Sequence, residues 1–177
     1  MMKLYLCLSS LILSLPLTAQ ENKISLDFSN VINTKDALKG INISTFFHFT
    51  EHLSGGVEVN RFFGKKILRK DVEVENKIEE IELSAWDFDC NFHYSFKVSK
   101  HLKAYPIWGF SHTTEIEKRT TENHENSTHF WSYNTGLGFM YHFGKISPHI
   151  EYLFTWGKTN QEFLLVGFSY EINLSHH

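Results

Sequence analysis

Trp86-Asp-Phe-Asp-Cys-Asn-Phe-His-Tyr-Ser-Phe96 alternates from end to end. Trp86, Phe88, Cys90, Phe92, Tyr94 and Phe96 share one face of an extended strand, and Asp87, Asp89, Asn91, His93 and Ser95 share the other. Wound into a helix, the same two sets scatter around the circumference. The run is eleven residues long, which matches the roughly 9–11 residues of a tilted strand that crosses a bilayer.

The pattern recurs. Trp131, Tyr133, Thr135, Leu137, Phe139, Tyr141 and Phe143 alternate with polar or small residues, as do Ile150, Tyr152, Phe154 and Trp156. Leu164, Val166, Phe168, Tyr170 and Ile172 repeat it, and shorter versions occur at Ile24/Leu26/Phe28, Ile41/Ile43/Phe47/Phe49, Val57/Val59 and Leu102/Ala104/Trp108/Phe110. Eight strands are predicted. The connections alternate in kind. Residues 50–54, 97–101 and 144–147 are short, whereas 64–77 and 114–127 are long, charged loops. Short turns at one end and longer loops at the other mark a membrane barrel with both termini on the turn side.

Periodicity alone does not say which face is inside. A soluble eight-stranded barrel such as a lipocalin alternates too, with its apolar face inward. Here Trp, Tyr and Phe cluster near strand ends, as in the aromatic girdles of a membrane interface. Gly136, Gly138 and Gly167 on the polar face suit a narrow lumen filled by side chains. The expected fold is all-β: an eight-stranded, antiparallel, up-and-down transmembrane β-barrel.

Composition agrees. Aromatic residues make up 15% of the chain, with 16 Phe, and no later stretch is apolar enough for a membrane helix. Lys3, the apolar stretch from Leu4 to Leu17 and the small-residue site Leu17-Thr18-Ala19 read as a cleavable export signal over residues 1–19. The remainder has 16 basic and 20 acidic residues, which gives no reason to expect nucleic-acid binding, and it retains one cysteine, Cys90. Residues 20–173 form the expected barrel and 174–177 a short tail.

Leu53-Ser-Gly-Gly-Val-Glu-Val-Asn60, Tyr105-Pro-Ile-Trp-Gly-Phe110, Gly136-Leu-Gly-Phe-Met-Tyr141 and Leu165-Val-Gly-Phe-Ser-Tyr170 carry a family pattern. Over residues 20–173 the chain resembles the small outer-membrane β-barrels typified by OmpX and OmpA. The resemblance implies a bacterial outer-membrane location and a fold more than an activity. Such barrels commonly finish on an aromatic residue, whereas this chain continues through Asn173-Leu-Ser-His-His177.

The predicted lumen is acidic. Glu58, Asp87, Asp89, Glu151 and Glu171 fall on the inward face with His48, His93 and His142, and are expected to form one polar network with Asn side chains and water. Acidic linings also suit a narrow cation-preferring pore. Against conduction, Phe62, Phe130, Met140, Leu153 and Phe163 are expected to plug it. Related barrels include PagL-type lipid A deacylases with a His-x-Ser-Asn motif. The corresponding stretch here, Glu151 to Asn160, has Leu153 in place of the His and Thr155 as the candidate hydroxyl, so enzymatic activity is not expected. The eleven histidines repeat no zinc-site spacing, and no cofactor or metal is expected. Lys65, Lys66, Arg69 and Lys70 in the loop 64–77 are candidate contacts for lipopolysaccharide phosphate. The expected role is non-enzymatic: a monomeric envelope-structural or surface-contact protein meeting outer-membrane lipid, lipopolysaccharide or an extracellular ligand through its loops.

Overall fold

The computed structural model describes residues 23–70, 78–119 and 125–174. The expected export signal and the His176-His177 end of the tail lie outside these residues. Nine strands follow one another: β1 (Lys23–Asn33), β2 (Leu38–His48), β3 (Leu53–Lys70), β4 (Ile78–Tyr94), β5 (Phe96–Lys97), β6 (Leu102–Arg119), β7 (Glu125–Tyr141), β8 (Ile146–Gly157) and β9 (Gln161–Asn173). The two residues of β5 continue β4 beyond Ser95 along the same neighbour, β6, so the wall has eight staves. Each pairs antiparallel with the next, and β1 closes on β9 from Lys23↔Asn173 to Asn33↔Phe163. Closure leaves no unpaired backbone facing lipid.

The faces are those the alternation predicts. Asp87, Asp89, Asn91 and His93 are buried, while Trp86, Phe88, Tyr94 and Phe96 are exposed. Large apolar side chains wrap the outside of the barrel on every stave, far beyond the patch a soluble monomer tolerates. They gather into two aromatic levels: Trp86, Tyr133 and Trp156 toward the loops, and Tyr94, Tyr141 and Tyr170 toward the turns. A lipocalin-like barrel would be the reverse, so this is the transmembrane form.

The long connections depart from expectation. Residues 64–70 and 114–119 are strand, not loop. A bulge at Phe63 and Gly64 shifts the β3–β4 register, so that Phe62 faces Ala85 but Lys65 faces Leu83. The ladder then runs on to Lys70↔Ile78, and β6–β7 runs on to Lys118↔Glu125. Meanwhile β2 stops at Gly40↔Phe62 and β8 at Ser132↔Gly157. Beyond the barrel rim, β3, β4, β6 and β7 therefore form a free-standing four-stranded sheet. Charged residues read as loop because polar side chains on both faces erase the alternation signal. In the sheet they become cross-strand pairs, Lys66–Glu80 at 2.7 Å and Lys118–Glu125 at 3.3 Å.

Candidate functional site

The lumen is filled in layers. Toward the loops lies an apolar plug of Val31, Leu38, Phe62, Leu83, Phe163 and Leu165. The Phe62 and Phe163 rings stack at 5.4 Å. Phe130 and Leu153 are also buried inward, whereas Met140, expected to join the plug, lies at the turn end of β7 beside Lys103 and Tyr105.

Below the plug sits a polar layer. Glu58 and Asp89 are direct cross-strand partners on the inward face. Carboxamides converge on them. Asn42 Nδ2 donates to Glu58 Oε2 at 3.1 Å and Asn91 Nδ2 to Glu58 Oε1 at 2.7 Å. Asn60 Nδ2 donates to Asp89 Oδ2 at 2.8 Å, and Asn134 Nδ2 donates to Asn91 Oδ1 at 3.1 Å. Asn42, Asn60 and Asn91 each turn a donor toward a carboxylate, which is how buried carboxylates avoid the cost of lost hydration. Glu151 is buried beside this layer and accepts from Tyr105 Oη at 2.7 Å.

Three rings form the floor. His93 stacks between Phe46, at 4.2 Å, and Tyr105, at 4.9 Å. Beneath it a narrow space of about 20 Å³ shares His48, Lys103 and Glu171 with a cavity of about 260 Å³ at the turn-side mouth. Four lysines line that cavity: Lys23, Lys97, Lys100 and Lys103. His48, His101 and His142 join them, with Glu51 and Glu171 as the acids. His142 Nδ1 contacts Ser147 Oγ at 3.0 Å and Glu171 Oε1 at 3.6 Å. Burial, and then the charge of Lys103, hold its pKa below the ordinary histidine value, against the pull of Glu171.

The eight predicted lumen residues are thus not one network. Glu58, Asp87, Asp89, Glu151 and His93 are buried in the interior. His48, His142 and Glu171 stand at the mouth, below the aromatic floor. The separation arises because the same inward parity runs the full height of the barrel, so residues sharing a face differ in level. Two further inward residues, missing from the predicted set, belong with them: Asp27, between Leu26 and Phe28, and His149, beside Ile150. The parity of their outward neighbours is the sequence signal that points to them.

No nucleophilic triad is assembled among the described residues. Ser29 Oγ and His149 Nε2 lie 2.8 Å apart, but both are buried and no carboxylate meets His149 Nδ1. At the mouth, Ser147 and Glu171 both approach the same nitrogen of His142, whereas a triad needs the acid on one ring nitrogen and the hydroxyl on the other. Thr155 is buried, with its hydroxyl toward the Gln161 carbonyl at 3.5 Å. The described residues hold no cluster suited to a metal ion.

Of the four basic candidates of the expected loop, two have described side chains, Lys65 and Lys66, and these do not share a face. Lys65 and Lys66 belong to β3 and project to opposite faces. Lys65 Nζ donates to the Asp36 carbonyl at 2.9 Å, covering the β1–β2 turn. Lys66 pairs with Glu80, and that hydrogen bond raises its pKa. The side chains of Arg69 and Lys70 lie outside the described residues.

No family model and no curated protein matches the sequence. The fold does match solved structures. The N-terminal β-barrel domain of Pseudomonas aeruginosa OprF superposes with a TM-score of 0.60 at 14% identity, covering 86% of this chain and 98% of that one. P. aeruginosa OprG gives 0.60 at 10% identity over 89% and 99%. Ail, the attachment invasion locus protein of Yersinia pestis, gives 0.56 at 13% identity over 86% and 99%. The chain shares the fold of these small outer-membrane barrels.

Proposed function

We propose that this protein resides in the bacterial outer membrane as a non-enzymatic barrel whose protruding sheet makes contact with an external surface. The observation that carries the reading is the free-standing sheet. Beyond Phe62 strand β3 has lost its partner β2, and above Ser132 strand β7 has lost β8. Among the described residues no strand pairs with these two edges beyond the barrel wall, and open edges recruit an extended segment of another chain. A barrel filled on the inside and built up on the outside directs its chemistry outward.

Removing the protrusion while keeping the barrel tests this. In one variant residues 65–83 and residues 114–129 are each replaced by a short turn, which rejoins β3 to β4 and β6 to β7 at the rim. Folding is checked by heat-dependent gel mobility in membranes. Cells making the full-length protein are expected to adhere to a host-cell or abiotic surface more than cells making the truncated one. Equal adherence, with both proteins folded in the outer membrane, would refute the surface-contact role.

A further inference from the structure

The turn-side cavity, of about 260 Å³, has basic walls. Lys97 and Lys100 come from the β5–β6 turn region, Lys103 from the first residues of β6, and Lys23 from the start of β1. Against these four ammonium groups stand two carboxylates, Glu51 and Glu171. Both are engaged: Glu51 with Lys97 at 3.9 Å and Glu171 with His142 at 3.6 Å. With the histidines neutral, the lining keeps an excess of positive charge. The cavity is also a dead end. The space above it, about 20 Å³, has room for little more than a single water, and the Phe46–His93–Tyr105 stack closes it.

We propose that this mouth is a binding site for a small phosphate-bearing anion carrying at least two negative charges. Lysines suit the task because each supplies a point charge with rotatable donors, and imidazole nitrogens add neutral donors at the rim. A volume of about 260 Å³ falls just below the usual range for drug-sized ligands, so it takes a headgroup or a free diphosphate. It is too small for a folded partner. The net positive charge of the lining favours an anion there over a cation.

The probe is inorganic pyrophosphate, titrated into the full-length barrel in zwitterionic nanodiscs and followed by amide chemical shifts. Shifts are expected in residues 97–103 and at His142, with an affinity that falls as salt rises. Lys100→Gln with Lys103→Gln should weaken binding about tenfold, the loss of charge-assisted contacts. Lys145→Gln, at the same end but outside the lining, should leave it unchanged. Lys100→Gln alone, on an exposed turn, serves if the double variant fails to fold, with about a threefold loss expected. Repeating the titration in phosphatidylglycerol nanodiscs separates the sources. Competition identifies a lipid headgroup as the occupant, and unchanged binding identifies a soluble phosphate. Absence of pyrophosphate-dependent shifts in the zwitterionic discs, or equal weakening by Lys145→Gln, would overturn the site.

Discussion

The Tyr105 hydroxyl reaches over β7 to Glu151 Oε1 on β8 at 2.7 Å, and it can do so because its cross-strand partner on β7 is a glycine. Tyr105 pairs with Gly138, and a Cβ at Gly138 would overlap the tyrosine ring. The ring then lies flat over the lumen, where it stacks on His93 and completes the floor.

Gly138→Ala is therefore expected to displace the ring and destabilise the barrel by about 1–3 kcal/mol, the usual cost of overpacking. Tyr105→Phe keeps the ring but removes the donor to buried Glu151, at a similar cost of about 1–3 kcal/mol. Urea unfolding in lipid vesicles, read by tryptophan fluorescence, measures both. If Gly138→Ala unfolds at the wild-type midpoint, the ring is not wedged there.

A second prediction concerns the direction of the hydrogen bonds around Glu58. Asn134 donates to Asn91, and Asn91 donates to Glu58, while Asn42 donates to its other oxygen. Glu58→Gln places an NH₂ group against the NH₂ of Asn91 or Asn42. Turning Asn91 over would relieve that contact but set it against Asn134. The expected loss is about 1–3 kcal/mol, the cost of buried donors without acceptors. Adding Asn91→Asp supplies an acceptor both to the new carboxamide at position 58 and to Asn134, and should restore most of it. The double-mutant cycle decides: additive losses would mean that the two residues are not coupled as drawn.

Much of this is legible in the sequence because a strand has a period of two and the membrane barrel sorts side chains by that period. From Trp86 to Tyr94 each residue faces as its parity predicts, and the staves and the closure follow from the same count. The level of a residue along the barrel axis is not legible, since parity carries no height. That is why His142 and Glu171 are expected beside Glu58 and stand instead at the mouth. Nor is the protruding sheet: Lys66 and Glu80, like Lys118 and Glu125, look like loop charges until their strands are laid side by side. The lysine cavity is least visible, because its lining comes from the start of β1, the end of β2 and the turn regions at that mouth.

The acidic lumen invites the idea of a cation pore, and the layering argues that it does not conduct. Two separate closures stand in series. Phe62 and Phe163 stack above Glu58 and Asp89, and Phe46, His93 and Tyr105 stack below. An eight-stranded barrel is only wide enough for side chains to fill, so each closure blocks independently. In a planar bilayer with concentrated KCl, the wild-type protein should give no stable conductance steps. Phe62→Ala with Phe163→Ala should remain silent too, because the lower stack is untouched, although each substitution costs about 3–5 kcal/mol of stability. Steps should appear only when Phe46→Ala and Tyr105→Ala are added. They should then favour cations, since the exposed path runs past Asp87, Asp89 and Glu58. Steady cation-selective steps from the wild-type barrel would show that the stacks open in the membrane, and the carboxylates between them would then be the lining of a pore.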